Sequence, residues 1–122
     1  MSYLTLLFIL VSVSLSVFAQ LLLKIGMSNS TVQASLSSSI TTTIMAIFTN
    51  ISVLLGVLAY VSSGGIWLLV LSRTDVSKAY PFVGLGFIGT MMFAYWFLNE
   101  PLTPSKVIGT CVIFLGVLLI SR

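Results

Sequence analysis

The chain is 122 residues long, and seven of them carry charge: five Lys or Arg against two Asp or Glu, with no His. Hydrophobic residues make up 58% and mean hydropathy is +1.21, whereas a soluble domain carries about 25% charged residues and a disordered one is polar and charge-rich. Both classes are therefore excluded, leaving an integral membrane protein. At about 20 residues per helical span, the length allows four spans, short loops and no sizeable extramembrane domain.

The charges mark out the spans. They are Lys24, Arg73, Asp75, Lys78, Glu100, Lys106 and Arg122, so residues 1–23, 25–72, 79–99 and 107–121 are charge-free. A charge at a helix centre costs roughly 2.5–3.5 kcal/mol on insertion. These runs predict an all-α, polytopic membrane protein: one four-helix transmembrane domain over 1–122, with spans near 3–24, 51–72, 77–98 and 104–121. Barrel strands would alternate apolar and polar residues; these runs are continuously apolar.

In the first span, Ser12, Ser16, Gln20 and Lys24 recur every four residues, along one slowly turning face. Serines in lipid often satisfy themselves on their own backbone. The Gln20 amide has four hydrogen-bonding positions and is either helix–helix glue or a substrate contact. Lys24 either snorkels to the head groups or holds a phosphate. Residues 27–50 are rich in Ser and Thr, with Val32, Leu36, Ile40, Ile44 and Ile47 recurring every three to four. That spacing predicts a short amphipathic helix lying at the interface between spans 1 and 2; a polar loop is the alternative.

The second span carries Gly56, Tyr60, Ser63, Gly64 and Trp67, a face of small and aromatic residues. The third opens with Lys78, Ala79, Tyr80 and Pro81, where the proline removes a donor and kinks the helix, and continues through Gly84, Gly86 and Gly89. Tyr95 and Trp96, near its end, read as interfacial anchors. The fourth has Gly109 and Gly116 with Ile113 between them, a small-residue stripe suited to helix packing.

Other signals carry less. Gly84-Leu85-Gly86-Phe87-Ile88-Gly89 matches a dinucleotide fingerprint, but lies inside an apolar span without the required strand; its glycines suit close helix approach. Residues 1–19 lack the leading Lys or Arg of a secretory signal and read as a retained span. Asn29-Ser30-Thr31 and Asn50-Ile51-Ser52 are formal sequons. Cys111 is the sole cysteine, so no disulfide or thiol metal site is expected. Asp75 and Glu100 fall at opposite ends of a span, so no carboxylate pair forms within one chain. Catalysis, metal, cofactor and nucleic-acid partners are therefore not expected.

The span-4 run Gly109-Thr110-Cys111-Val112-Ile113-Phe114-Leu115-Gly116-Val117 resembles the dimerisation stripe of small multidrug resistance transporters. Leu98-Asn99-Glu100-Pro101-Leu102-Thr103, followed by Ile108-Gly109 and Gly116-Val117, is similar to the ends of EamA-type repeats in the drug/metabolite transporter superfamily. Gln20 to Lys24, Trp67-Leu68-Leu69-Val70-Leu71, Ala79-Tyr80-Pro81 and Glu100-Pro101 look most like the small four-helix subunits of aminoarabinose–phosphoundecaprenol flippases. The resemblance covers nearly all the chain except residues 27–50, and implies a transporter of the bacterial inner membrane. It also departs from the multidrug pattern, whose members carry a span-1 glutamate that binds protons and cationic drugs in turn. Here that position is Ser16 or Gln20, depending on the alignment, and neither ionises.

A cationic drug in a low-dielectric cavity wants a carboxylate, and none lies inside a span. An anionic phosphate wants Lys or Arg, and Lys24, Arg73 and Lys78 sit at span ends. The leading expectation is thus flipping of a lipid-linked sugar or similar amphipathic anion, by alternating access in a dimer. Gln20 and Lys24 would contact the head, Tyr60, Trp67 and Tyr80 would line the path, and Gly109, Ile113 and Gly116 would form the dimer contact. One alternative is proton-coupled export of small cations or polyamines, with Glu100 as the carboxylate. Another is a non-transporting accessory membrane subunit. With the amino terminus inside, Arg73, Lys78 and Arg122 face Lys24 and Lys106, three against two. This weak positive-inside bias fits an antiparallel homodimer and a heterodimer with a sister subunit equally.

Overall fold

A computed structural model describes residues 2–120; Ser121, the end of the expected fourth span, and Arg122 lie outside the described residues. In chain order the elements are α1 (Tyr3–Met27), α2 (Ser30–Ser35), α3 (Ile40–Phe48), α4 (Ile51–Leu71), α5 (Val76–Ala79), a 3-10 turn (Tyr80–Phe82), α6 (Val83–Phe97) and α7 (Pro104–Ile120). Tyr3–Met27, Ile51–Leu71 and Val76–Phe97 are long and apolar enough to cross a membrane, while Pro104–Ile120 is a shorter apolar helix. At 17 residues, α7 stands at the lower limit of about 17–25 for a span.

Polar residues punctuate these apolar runs. Ser2, Asn29, Ser39 and Asn50 accept hydrogen bonds from the backbone N–H groups of Thr5, Thr31, Thr42 and Val53, and so cap α1, α2, α3 and α4. Both sequon asparagines are therefore caps. Pro81 sits in the 3-10 turn that offsets α5 from α6, the local break its missing donor requires. At the end of α6, Asn99 adopts a left-handed conformation (φ 55°) and Glu100 N–H reaches back to the Ala94 carbonyl, 3.2 Å away. Pro101 then prevents the helix from continuing.

The linker departs from expectation. Instead of one amphipathic helix, two short ones form, because Leu36 to Ser39 end α2 and Ser39 caps the start of α3. Serine competes with its own backbone in mid-helix and favours caps. Of the apolar positions of α3, Ile40, Ile44, Met45 and Phe48 are exposed, while Ala46 and Ile47 are half-buried.

Packing is dominated by α1 against α4, which run antiparallel. Ser12 Oγ donates to Ser63 O (2.9 Å) and Ser63 Oγ donates to Ser12 O (2.8 Å), a reciprocal clasp in mid-span. Towards the linker, Ser52 Oγ donates to Leu22 O (2.6 Å) and Asn50 Nδ2 to Gly26 O (3.3 Å). Ser12, Ala19 and Gly26 are buried at intervals of seven on α1, as are Gly56, Ser63 and Val70 on α4. The small members of that repeat, all but Val70, let two helices run close together.

The glycines of α6 serve a similar end. A Cβ on Gly86 would meet Val13 of α1 at 3.1 Å, and one on Gly84 would meet Ile113 of α7 at 2.8 Å. Ile9, Val13, Val70, Ala79, Phe82 and Val117 make the buried core, with the half-buried Leu85 of α6 packed against it, near the end that carries Arg73, Asp75 and Lys78. No buried side-chain nitrogen or oxygen among the described residues lacks a partner, as a hydrocarbon environment demands. The remaining exterior is largely apolar, with Leu58, Val61, Leu68 and Leu119 well exposed.

Candidate functional site

Past the core, the helices part towards the end that carries Lys24, Glu100 and Lys106. Between them opens a cleft of about 530 Å³. Ser16, Val17 and Gln20 of α1 line it, with Tyr60 of α4, a strip of α6 from Val83 to Ala94, and Glu100, Pro101 and Lys106 beyond. A second, larger groove of about 690 Å³ runs along α1 and α6 between Leu10, Phe18, Leu85 and Phe93. Its wall is almost wholly apolar. Polar groups that converge on one space mark a ligand site better than size does, which singles out the first.

The cleft's polar groups differ in how far they are committed. Ser16 Oγ donates to Val13 O on its own helix (2.8 Å), keeping acceptor capacity towards the cavity. Gln20, Tyr60 and Thr90 make no side-chain hydrogen bond to the described residues, so an amide and two hydroxyls are available to a ligand. Thr90 is notable because Ser62 and Thr110 each return their hydroxyl to the carbonyl four residues back.

At the mouth, Lys24 Nζ lies 3.9 Å from Glu100 Oε1, with both side chains substantially exposed. Lys106 Nζ donates to Pro101 O (2.8 Å). Two ammonium groups and one carboxylate therefore ring the opening, with no ionisable carboxylate along α1.

The residues singled out from sequence fall into two sets. Gln20, Tyr60 and Glu100 line the cleft, and Lys24 pairs with Glu100 beside it. Trp67 and Tyr80 lie outside it: their rings meet edge-on at 6.4 Å, with Trp67 packed on the core. On α7, Ile113 turns inward onto Gly84, while Gly109 and Gly116 are exposed and face open space. Sequence reasoning missed Thr90 and Lys106. The signal for Thr90 was its spacing from Val83, Gly86 and Ala94 along one face of α6; Lys106 read only as a span-end charge.

The chain matches the EamA-like transporter family over residues 3–122. It is similar to the probable 4-amino-4-deoxy-L-arabinose-phosphoundecaprenol flippase subunit ArnF of Erwinia tasmaniensis, 37% identical over 117 residues, covering 94% of this chain and 92% of the relative. The corresponding ArnF of Enterobacter sp. (strain 638) is 38% identical over 73 residues, 57% of each chain. The ArnE subunit of Serratia proteamaculans is 43% identical over 56 residues, 46% of this chain and 49% of the relative. In these last two matches the chain spans about half the relative's length. No solved structure matches.

Proposed function

Because the chain belongs to the EamA-like transporter family, an integral membrane family, we propose that it is a transport subunit that flips a lipid-linked amino sugar across the bacterial inner membrane. In this reading all four long helices span the bilayer as one transmembrane domain, and no step involves catalysis. The polar cleft carries the reading. It offers an amide and hydroxyls for a sugar, lysines at head-group depth for a phosphate, and no carboxylate on α1 to hold a hydrophobic cation.

Gln20, Ser16, Tyr60 and Thr90 contact the sugar, and Lys24 and Lys106 the phosphate. Trp67 and Tyr80 brace the closed end of the path. Four helices enclose little room, so the working unit is a dimer, either of two copies or with a sister subunit, since the relatives bear the names of two flippase subunits. Gly109 and Gly116 face outward on α7 and suit that contact.

The test is reconstitution in liposomes with an undecaprenyl-phosphate-linked 4-amino-4-deoxyarabinose, alone and with a candidate sister subunit. The protein should speed movement of this lipid between leaflets, and Gln20→Ala and Tyr60→Ala should slow it. Proton-driven export of a quaternary ammonium ion, with no movement of the lipid, would overturn the proposal.

A further inference from the structure

The charges at the mouth of the cleft are not those of a simple anion site. One carboxylate and two ammonium groups share this end: Glu100 and Lys106 both line the cavity, and Lys24 Nζ is 3.9 Å from Glu100 Oε1. A ligand bearing only a phosphate would meet Lys24 and Lys106 but would be repelled by Glu100. One bearing only an amine would have Glu100 but face two like charges. A head group carrying both satisfies every partner. The amine would need to displace Lys24 from a loose pair whose members are 56% and 40% exposed, and such pairs hold weakly in water. Lys106 is already anchored through Pro101 O and keeps two of its three donors for the phosphate.

We infer that Glu100 is the specificity-determining residue for the head group's amine. The ligand's ammonium takes Glu100, while its phosphate takes the released Lys24 together with Lys106. This rests on the lipid-flippase reading and adds selectivity to it. Glu100 serves as a repulsive element against lipid phosphates without an amine, so discrimination comes from the unwanted ligand's penalty as much as from the wanted ligand's attraction.

The experiment is equilibrium binding to the full chain in phosphatidylcholine nanodiscs, with three probes. They are undecaprenyl-phosphate-linked 4-amino-4-deoxyarabinose, the same lipid with a 4-hydroxyl in place of the amine, and undecaprenyl phosphate. The wild-type protein should prefer the amine over the hydroxyl by about ten-fold, the order expected for one charge-assisted hydrogen bond. Glu100→Gln should bring that ratio to about one by strengthening the hydroxyl and unglycosylated lipids as well as weakening the amine. Glu100→Asp should keep part of the preference, and Lys24→Gln and Lys106→Gln should weaken all three probes alike. Binding of all three lipids without an amine preference, or a preference that survives Glu100→Gln, overturns the inference and leaves the flippase reading standing. Failure of the wild-type protein to bind any of the three overturns both.

Discussion

The helix pair α1–α4 and the helix pair α6–α7 form opposite walls of the cleft, and they are held together by different means. The first is joined along its length by reciprocal serine bonds, a serine and an asparagine reaching carbonyls of α1, and small residues every seventh position. The second rests on Ile113 and Val117 over Gly84 and on a contact between Met91 Sδ and the Thr110 hydroxyl (3.1 Å), whose one proton is already shared with the Lys106 carbonyl on its own helix (2.6 Å). Most of α7 is exposed, with Val117 its one buried residue among those described. Hydrogen-bonded backbone contact tolerates no sliding, whereas side-chain packing over a glycine does. The contrast fits a transporter with one fixed wall and one adjustable wall, and it can be tested by making the same small changes in each.

The largest effect is expected at Gly26. A Cβ there would meet Asn50 Oδ1 and the Val53 backbone nitrogen, both at 2.9 Å, and a backbone atom cannot move without shifting α4. Gly26→Ala should cost about 1–3 kcal/mol, the range for overpacking, read as a lower unfolding free energy in a detergent titration. An unchanged value would show that α1 and α4 are no more tightly joined than the other pair. Next comes the serine clasp. Ser63→Ala deletes one donor and leaves Ser12 able to donate to the Ser63 carbonyl, so the loss should be about 1 kcal/mol. Buried hydrogen bonds between membrane helices average about 0.6 kcal/mol. The Ser12→Ala, Ser63→Ala double-mutant cycle should show coupling, and strict additivity would mean that the two bonds act separately.

Much of the fold was legible in where seven charges fall. The helical stretches Tyr3–Met27, Ile51–Leu71 and Val76–Phe97 lie within three residues of the expected 3–24, 51–72 and 77–98, the largest difference being the run of α1 past Lys24 to Met27, although the third is broken at Tyr80–Phe82 and α6 begins only at Val83. Helix sidedness was harder to read. Residues four apart advance about 40° around a helix, so the column Ser12, Ser16, Gln20, Lys24 turns through about a third of the circumference. Ser12 consequently faces α4, and only Ser16 and Gln20 reach the cleft. On α4, Ser63 and Gly64 looked like parts of one face, yet neighbours stand about 100° apart; Ser63 binds α1 and Gly64 meets open space. Thr90 shares a face of α6 with Val83, Gly86 and Ala94, but Lys106 could be assigned to the site only once the chain had placed the start of α7 opposite Gln20. That placement depends on long-range packing, which no local pattern encodes.

The open position makes the next test. Nothing lies within 4 Å of a Cβ at Gly64, so Gly64→Ala should gain up to about 1 kcal/mol from helix propensity alone. A loss there would reveal a neighbour beyond the single chain.

The smallest net change is expected at Gly84, and it bears most directly on the adjustable wall. Alanine at this position gains the same helix propensity, of up to about 1 kcal/mol, but its methyl would meet Ile113 Cγ2 at 2.8 Å. Only side-chain atoms stand in the way: Ile113 and, at 3.4 Å, Val117. Unlike α4 opposite Gly26, α7 can therefore yield by a small shift, and the two contributions should nearly cancel. Gly84→Ala should leave unfolding stability within about 0.5 kcal/mol of wild type. In an Ile113→Ala background the obstruction is gone and the same substitution should become stabilising. If Gly84→Ala instead cost as much as Gly26→Ala, α7 would be as firmly seated as α4, and the cleft would have two rigid walls.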